Sequence, residues 1–147
     1  MRGTDSTRTA MPWRWSRLLA VALLVSACVQ RTQMWFVPTE GEPRLDTNEL
    51  RDRADYFLRA ECPRLLAADR PGGEASIKLT INRSGEVTRS EVTRSSGDEQ
   101  IDGIFGPLAA QLVVTPPPDM TKESMAVRMG MGYACSGSTA AATVRFP

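Results

Sequence analysis

Between Met125 and Cys135 every second residue is apolar: Met125, Val127, Met129, Met131, Tyr133 and Cys135. The residues between them, Ala126, Arg128, Gly130, Gly132 and Ala134, are small except for one arginine. A period of two sustained this long requires a strand with one face on a core and the other nearly bare. Methionines on such a face read as core packing, because the flexible thioether fills irregular gaps. The glycines weaken the strand intrinsically and let another backbone approach closely.

A second alternation lies upstream. Over residues 75–82, Ile77, Leu79 and Ile81 fall on one side and Ser76, Lys78 and Thr80 on the other. Arg83-Ser84-Gly85 then supplies a turn in which Gly85 can take positive φ, and a second strand runs over residues 86–94. Val87 and Val92 differ in parity, so this strand either carries a bulge or turns one valine outward. Before the hairpin, Asp46, Thr47 and Asn48 offer N-cap oxygens to a helix whose apolar residues are Leu50, Ala54, Phe57, Leu58 and Cys62. Pro63 is expected to end or kink it, with a short apolar piece after it and a break at Arg70-Pro71-Gly72-Gly73. After Ser95-Ser96-Gly97, Asp98 can cap a second helix with the stripe Ile101, Ile104, Phe105, Leu108 and Leu112. Gly103, Gly106 and Pro107 interrupt that pattern, so a kink or restart is expected at Pro107. Pro116-Pro117-Pro118 separates this helix from the last strand.

The first 28 residues do not read as part of this fold. Arg14 and Arg17 precede an apolar run from Leu18 to Val25, and small residues lead into Cys28. That is the layout of a secretory signal. The run is too short for a membrane span, which needs about 20 residues. Val25-Ser26-Ala27-Cys28 resembles the lipobox of bacterial lipoproteins, which implies lipid on Cys28 and removal of residues 1–27. An ordinary signal peptide with an incidental cysteine is the alternative, and Met11 is a plausible second start. Residues 28–45 would form a lipidated tether holding an apolar knot, Met34-Trp35-Phe36-Val37, and such a knot packs on the domain or sits at the lipid surface.

Charge and cysteine usage narrow the function. Arg2, Arg8, Arg14 and Arg17 face only Asp5 in the leader, which leaves 14 basic and 16 acidic residues behind it. A remainder near −2 carries no footprint for nucleic acid. The chain has no histidine, and so lacks the commonest general base and metal ligand. A nucleophile at Ser95 or Ser96 would have no histidine or suitable lysine beside it. Neither catalysis, nor a metal or cofactor, nor a small-molecule substrate is expected. Export would put Cys62 and Cys135 in an oxidising compartment, where a single pairing exists. A disulfide is expected, with two buried free thiols as the competing reading.

The ordered set of segments resembles the C-terminal domain of TonB-family energy transducers. The matching pieces are Cys62-Pro63, residues 77–81, Ser84-Gly85-Glu86-Val87, residues 92–97, Ile101-Asp102, Pro116-Pro117 and the strand over residues 125–133. The resemblance covers about residues 55–135. It implies an α+β fold over residues 46–136, a small antiparallel sheet of about three strands packed by two helices. Residues 137–147 would be a tail, which can add an edge strand as ATVRFP. Family members usually have a retained membrane anchor, a long proline-rich span, and an aromatic where this chain has Cys62. The tether here reaches only roughly 25 Å if flexible.

Three functions stand against one another. The first is a lipid-anchored periplasmic module that holds an extended peptide or an envelope protein, such as an outer-membrane receptor, by strand addition. The edge for it would be the last strand, with Ala126, Arg128, Gly130 and Gly132 turned outward and Arg128 selecting an acidic residue. The second is a structural envelope lipoprotein acting as a spacer. The third is a part in TonB-dependent transport and energy transduction, for which the sequence carries no spanning anchor. Val29 after the lipidated cysteine, where aspartate would signal retention, points to the outer membrane rather than the inner one.

Overall fold

The structure is a computed structural model, and it describes residues 34–147. The leader and Cys28 lie outside the described residues.

Five strands and two helices follow in the order β1 (Met34–Phe36), α1 (Thr47–Ala67), β2 (Gly72–Asn82), β3 (Val87–Arg94), α2 (Glu99–Ala110), β4 (Ser124–Ser136) and β5 (Thr139–Arg145). All pair antiparallel in one sheet of order β1-β3-β2-β4-β5. The fold class is α+β, as expected, but the sheet has five strands instead of about three. The two additions come from segments read as tether and tail. The described residues 34–147 belong to one compact unit.

Both helices cover the same face of the sheet. Ile77, Leu79 and Ile81 of β2 and Met129, Met131 and Tyr133 of β4 meet Leu50, Ala54, Leu58 and Leu65 of α1 and Ile101 and Phe105 of α2 in one core. Among the described residues no helix covers the opposite face, which holds Ser76, Lys78, Arg128 and Gly130.

The parity question in β3 is resolved by bulges at Thr88 and Thr93, where the register with β2 shifts. The first bulge lets Val87 and Val92 both point inward. Each bulged threonine donates its hydroxyl to a β2 carbonyl, Thr88 to Thr80 and Thr93 to Ser76, both at 3.1 Å. In the β2–β3 turn, Asn82 Oδ1 accepts from the amides of Ser84 and Glu86 at 3.0 Å. Gly85 is needed there twice over. Its φ is +82°, and a Cβ would sit 1.9 Å from the Val114 carbonyl oxygen.

Neither internal proline breaks its helix. α1 continues through Pro63 to Ala67, and α2 through Pro107 to Ala110. The carbonyls that lose a donor belong to Arg59 and Gly103, both exposed and open to water. Buried Leu65 and Leu108 lie beyond the prolines and hold the last turns down. Gly106 is a notch: a Cβ there would come 2.0 Å from the Phe36 ring, so its absence lets β1 pack on α2. The apolar knot is thus an edge strand on β3. Among the described residues no helix is long and apolar enough to cross a membrane.

Candidate functional site: an open strand edge beside a basic groove

An unpaired sheet edge presents backbone donors and acceptors in a row. The edge formed by β1 is only three residues long, and its outward Trp35 lies beneath the Arg89 guanidinium at 3.6 Å. The far edge of β5 is occupied from α1: the Ala142 amide, which points away from β4, donates to Asp55 Oδ1.

β4 itself is interior along its C-terminal half, where the tail adds an edge strand, the alternative that the sequence had left open. Gly130 pairs with Arg145 and Gly132 with Thr143, so β5 covers both positions. The two glycines make room for the chain's own side chains. A Cβ on Gly130 would lie 2.8 Å from Glu74 Oε1, and one on Gly132 would lie 2.6 Å from Thr143 Oγ1.

The other half differs. β2 pairs with β4 all the way from Ser124 to Ala134, but β5 stops at the Arg145–Gly130 pair. The direction of each backbone group follows from the ladder. Cys135 N–H donates to the Pro71 carbonyl on the β2 side, so odd-numbered residues of β4 face β2. Even-numbered residues face β5. Ala126 and Arg128 therefore direct N–H and C=O to a side on which no described strand pairs with them.

A groove of about 550 Å³ opens on the helix-free face beside this stretch. Lys78, Arg94, Arg128 and Arg145 line it together with the side-chain carboxylate of Glu74, and Phe146 and Pro147 also belong to its lining. Glu74 leans on Arg94, Oε1 to Nη2 3.7 Å. Lys78 and Arg128 stand directly opposite each other on β2 and β4. No ion pair among the described residues engages Lys78, Arg128 or Arg145. Like charges facing across a ladder are unfavourable. Of these groups, sequence reading singled out Arg128 alone. Lys78, Arg94 and Arg145 join it only through a register that local patterning does not reveal.

The Ser-Ser-Gly segment is a junction. Asp98 caps α2 by accepting from the amides of Gln100 and Ile101 at 3.1 and 3.2 Å. Its carboxylate is also gripped by Arg64 of α1 through two bonds, 2.8 and 2.9 Å, with Arg70 Nη1 at 3.5 Å. The Arg64 hydrogen bonds, joined by those of the cap, hold Asp98 down at a pKa of about 2 despite its burial. Buried Asp102 accepts from the Ser96 amide at 2.8 Å and from the Ser95 hydroxyl. Ser95 Oγ in turn takes the Gly97 amide at 3.0 Å. Beneath this cluster Tyr133 packs edge-on against Phe105, and burial raises its phenol above the ordinary range.

Cys62 and Cys135 are joined, with Cα atoms 5.5 Å apart, and tie α1 to the end of β4. Among the described residues no group of acidic and sulfur ligands could hold a metal ion. No family model matches the chain, and no curated protein or solved structure does so either.

Proposed function

We propose that this chain is a lipid-tethered periplasmic binding module, similar to a TonB C-terminal domain, that takes an extended segment of an envelope protein as an added strand. The observation that carries this reading is the bare side of β4 at Ala126 and Arg128, where two residues offer unpaired N–H and C=O groups. Among the described residues the β1 edge is three residues long and α1 takes the outward Ala142 amide of β5, so this reading assigns an incoming strand to the bare half of β4. Lipid on Cys28 would hold the module at the membrane, with the outer membrane preferred. Neither catalysis nor a cofactor enters this reading.

The test is crosslinking in intact envelopes with a photoreactive residue in place of Ala126, followed by identification of the captured proteins. A defined envelope protein, captured through an extended segment, supports strand addition. Recovery of cell-wall material or bulk lipoprotein alone would reject it and leave a structural spacer.

A further inference from the structure

The groove beside the open edge has an unusual charge arrangement for a small exposed sheet face. Lys78 and Arg128 face each other across β2 and β4, and Arg145 approaches from the β5 side opposite Gly130. One carboxylate in the lining, Glu74, is shared with Arg94, and Glu91, opposite Lys78 on β3, makes no ion pair with it. Three cations thus line the groove where the strand ladder is incomplete, and none of them makes an ion pair among the described residues. On the inner side of the same stretch, Met125 and Val127 are only half-buried, although they pack against the core.

An added strand would meet both features at once, because its side chains alternate between the two faces. The residue facing Arg128 would project into the groove. Its neighbour facing Val127, and the residue facing Met125, would turn toward the core. β5 already occupies the ladder from Gly130 onward, so the added strand lies along Arg128 to Ser124.

We propose, resting on the strand-addition reading, that the partner segment carries an acidic residue seated among Lys78, Arg128 and Arg145. Apolar residues occupy the first and third positions from it, against Val127 and Met125. The acid relieves the cationic pair, and charge-assisted bonds to arginine and lysine are the stronger class of hydrogen bond. A membrane surface supplies anions but has no backbone with which to complete the ladder.

The experiment uses the full chain and the peptide Val-Thr-Val-Glu-Val-Thr-Val, whose symmetry about the glutamate serves either strand direction. A second peptide has glutamine at the centre. Binding is read by fluorescence anisotropy and amide exchange. The glutamate peptide is expected to protect the Ala126 and Arg128 amides, weaken with salt, and bind about tenfold or more tighter than the glutamine peptide. The triple substitution Lys78→Gln, Arg128→Gln, Arg145→Gln, all at exposed positions, is expected to bind the two peptides alike. Equal binding and equal protection by both peptides on the unsubstituted chain would keep strand addition and overturn the acidic selection. Absence of protection at residues 124–129 with either peptide overturns both. Phosphatidylglycerol vesicles provide the last arm: binding that requires Lys78 and Arg128, with no peptide response, would assign the groove to lipid headgroups and overturn the proposal.

Discussion

Asp98 serves two structures at once, as cap of α2 and as counter-ion for Arg64 of α1. Its carboxyl, held near a pKa of about 2 against an ordinary 3.8, makes the fold acid-sensitive in a defined window. A carboxylate depressed in the folded state adds stability that is complete above pH 4 and drains away as pH falls toward 2. Arg64 is 40% exposed, so solvent weakens the pair, and the contribution is on the order of 1–2 kcal/mol. Replacing Asp98 by asparagine keeps a side-chain oxygen for the cap but removes the charge. Urea unfolding at a series of pH values should show the variant less stable by that amount at neutral pH, with the difference vanishing near pH 2. An undiminished difference at pH 2 would mean that the capping geometry, and not the ion pair, was lost.

Among the elements, β5 shows most plainly how an exposed edge is managed. It covers the C-terminal half of β4 and is itself covered by α1, whose Asp55 takes the outward Ala142 amide. Deleting residues 137–147 would remove one side of β4 while leaving the Cys62–Cys135 bond in place. Amide exchange should then accelerate at Gly130, Gly132 and Ala134, which point to β5. Ala126 and Arg128, unpaired beforehand, should not change, and the odd-numbered amides should stay protected by β2. Unchanged exchange at Gly132 would contradict the register, and with it the bare half-edge on which partner binding is proposed. β1 is the converse case, a three-residue strand held by its pairing with β3 and by the fit of Phe36 over Gly106. The two helices carry internal prolines at positions whose freed carbonyls face water, which is why propensity alone misjudged where they end.

For the molecule as a whole, the disulfide closes a sequence separation of 73 residues and spans helix and sheet. Cutting so long a loop restores much chain entropy to the unfolded state, roughly 4 kcal/mol. Denaturant titration with and without reductant should show a loss of that size, and a paired Cys62→Ala, Cys135→Ala variant should reproduce it. A change below about 1 kcal/mol would place the stability in the core instead. Local sequence determined the elements that depend on neighbours along the chain. The alternation of residues 77–81 and 125–135, the Gly85 turn, the caps Asp46 and Asp98, and most apolar positions of the helices follow from periods and side-chain chemistry within a few residues. Phe57 of the expected stripe is exposed, however, and Leu112 lies beyond α2. Export-linked cysteine arithmetic reached the pairing of Cys62 with Cys135 as one of two readings. Tertiary structure decided the rest. Met34–Phe36 is too short to read as a strand until β3 and Gly106 receive it. Thr139–Arg145 becomes a strand because β4 offers it a ladder. Lys78, Arg128 and Arg145 lie far apart in the chain and become one charged groove only through the register of three strands. That register is set by long-range pairing, in which a shift of one residue would turn every one of these side chains to the other face.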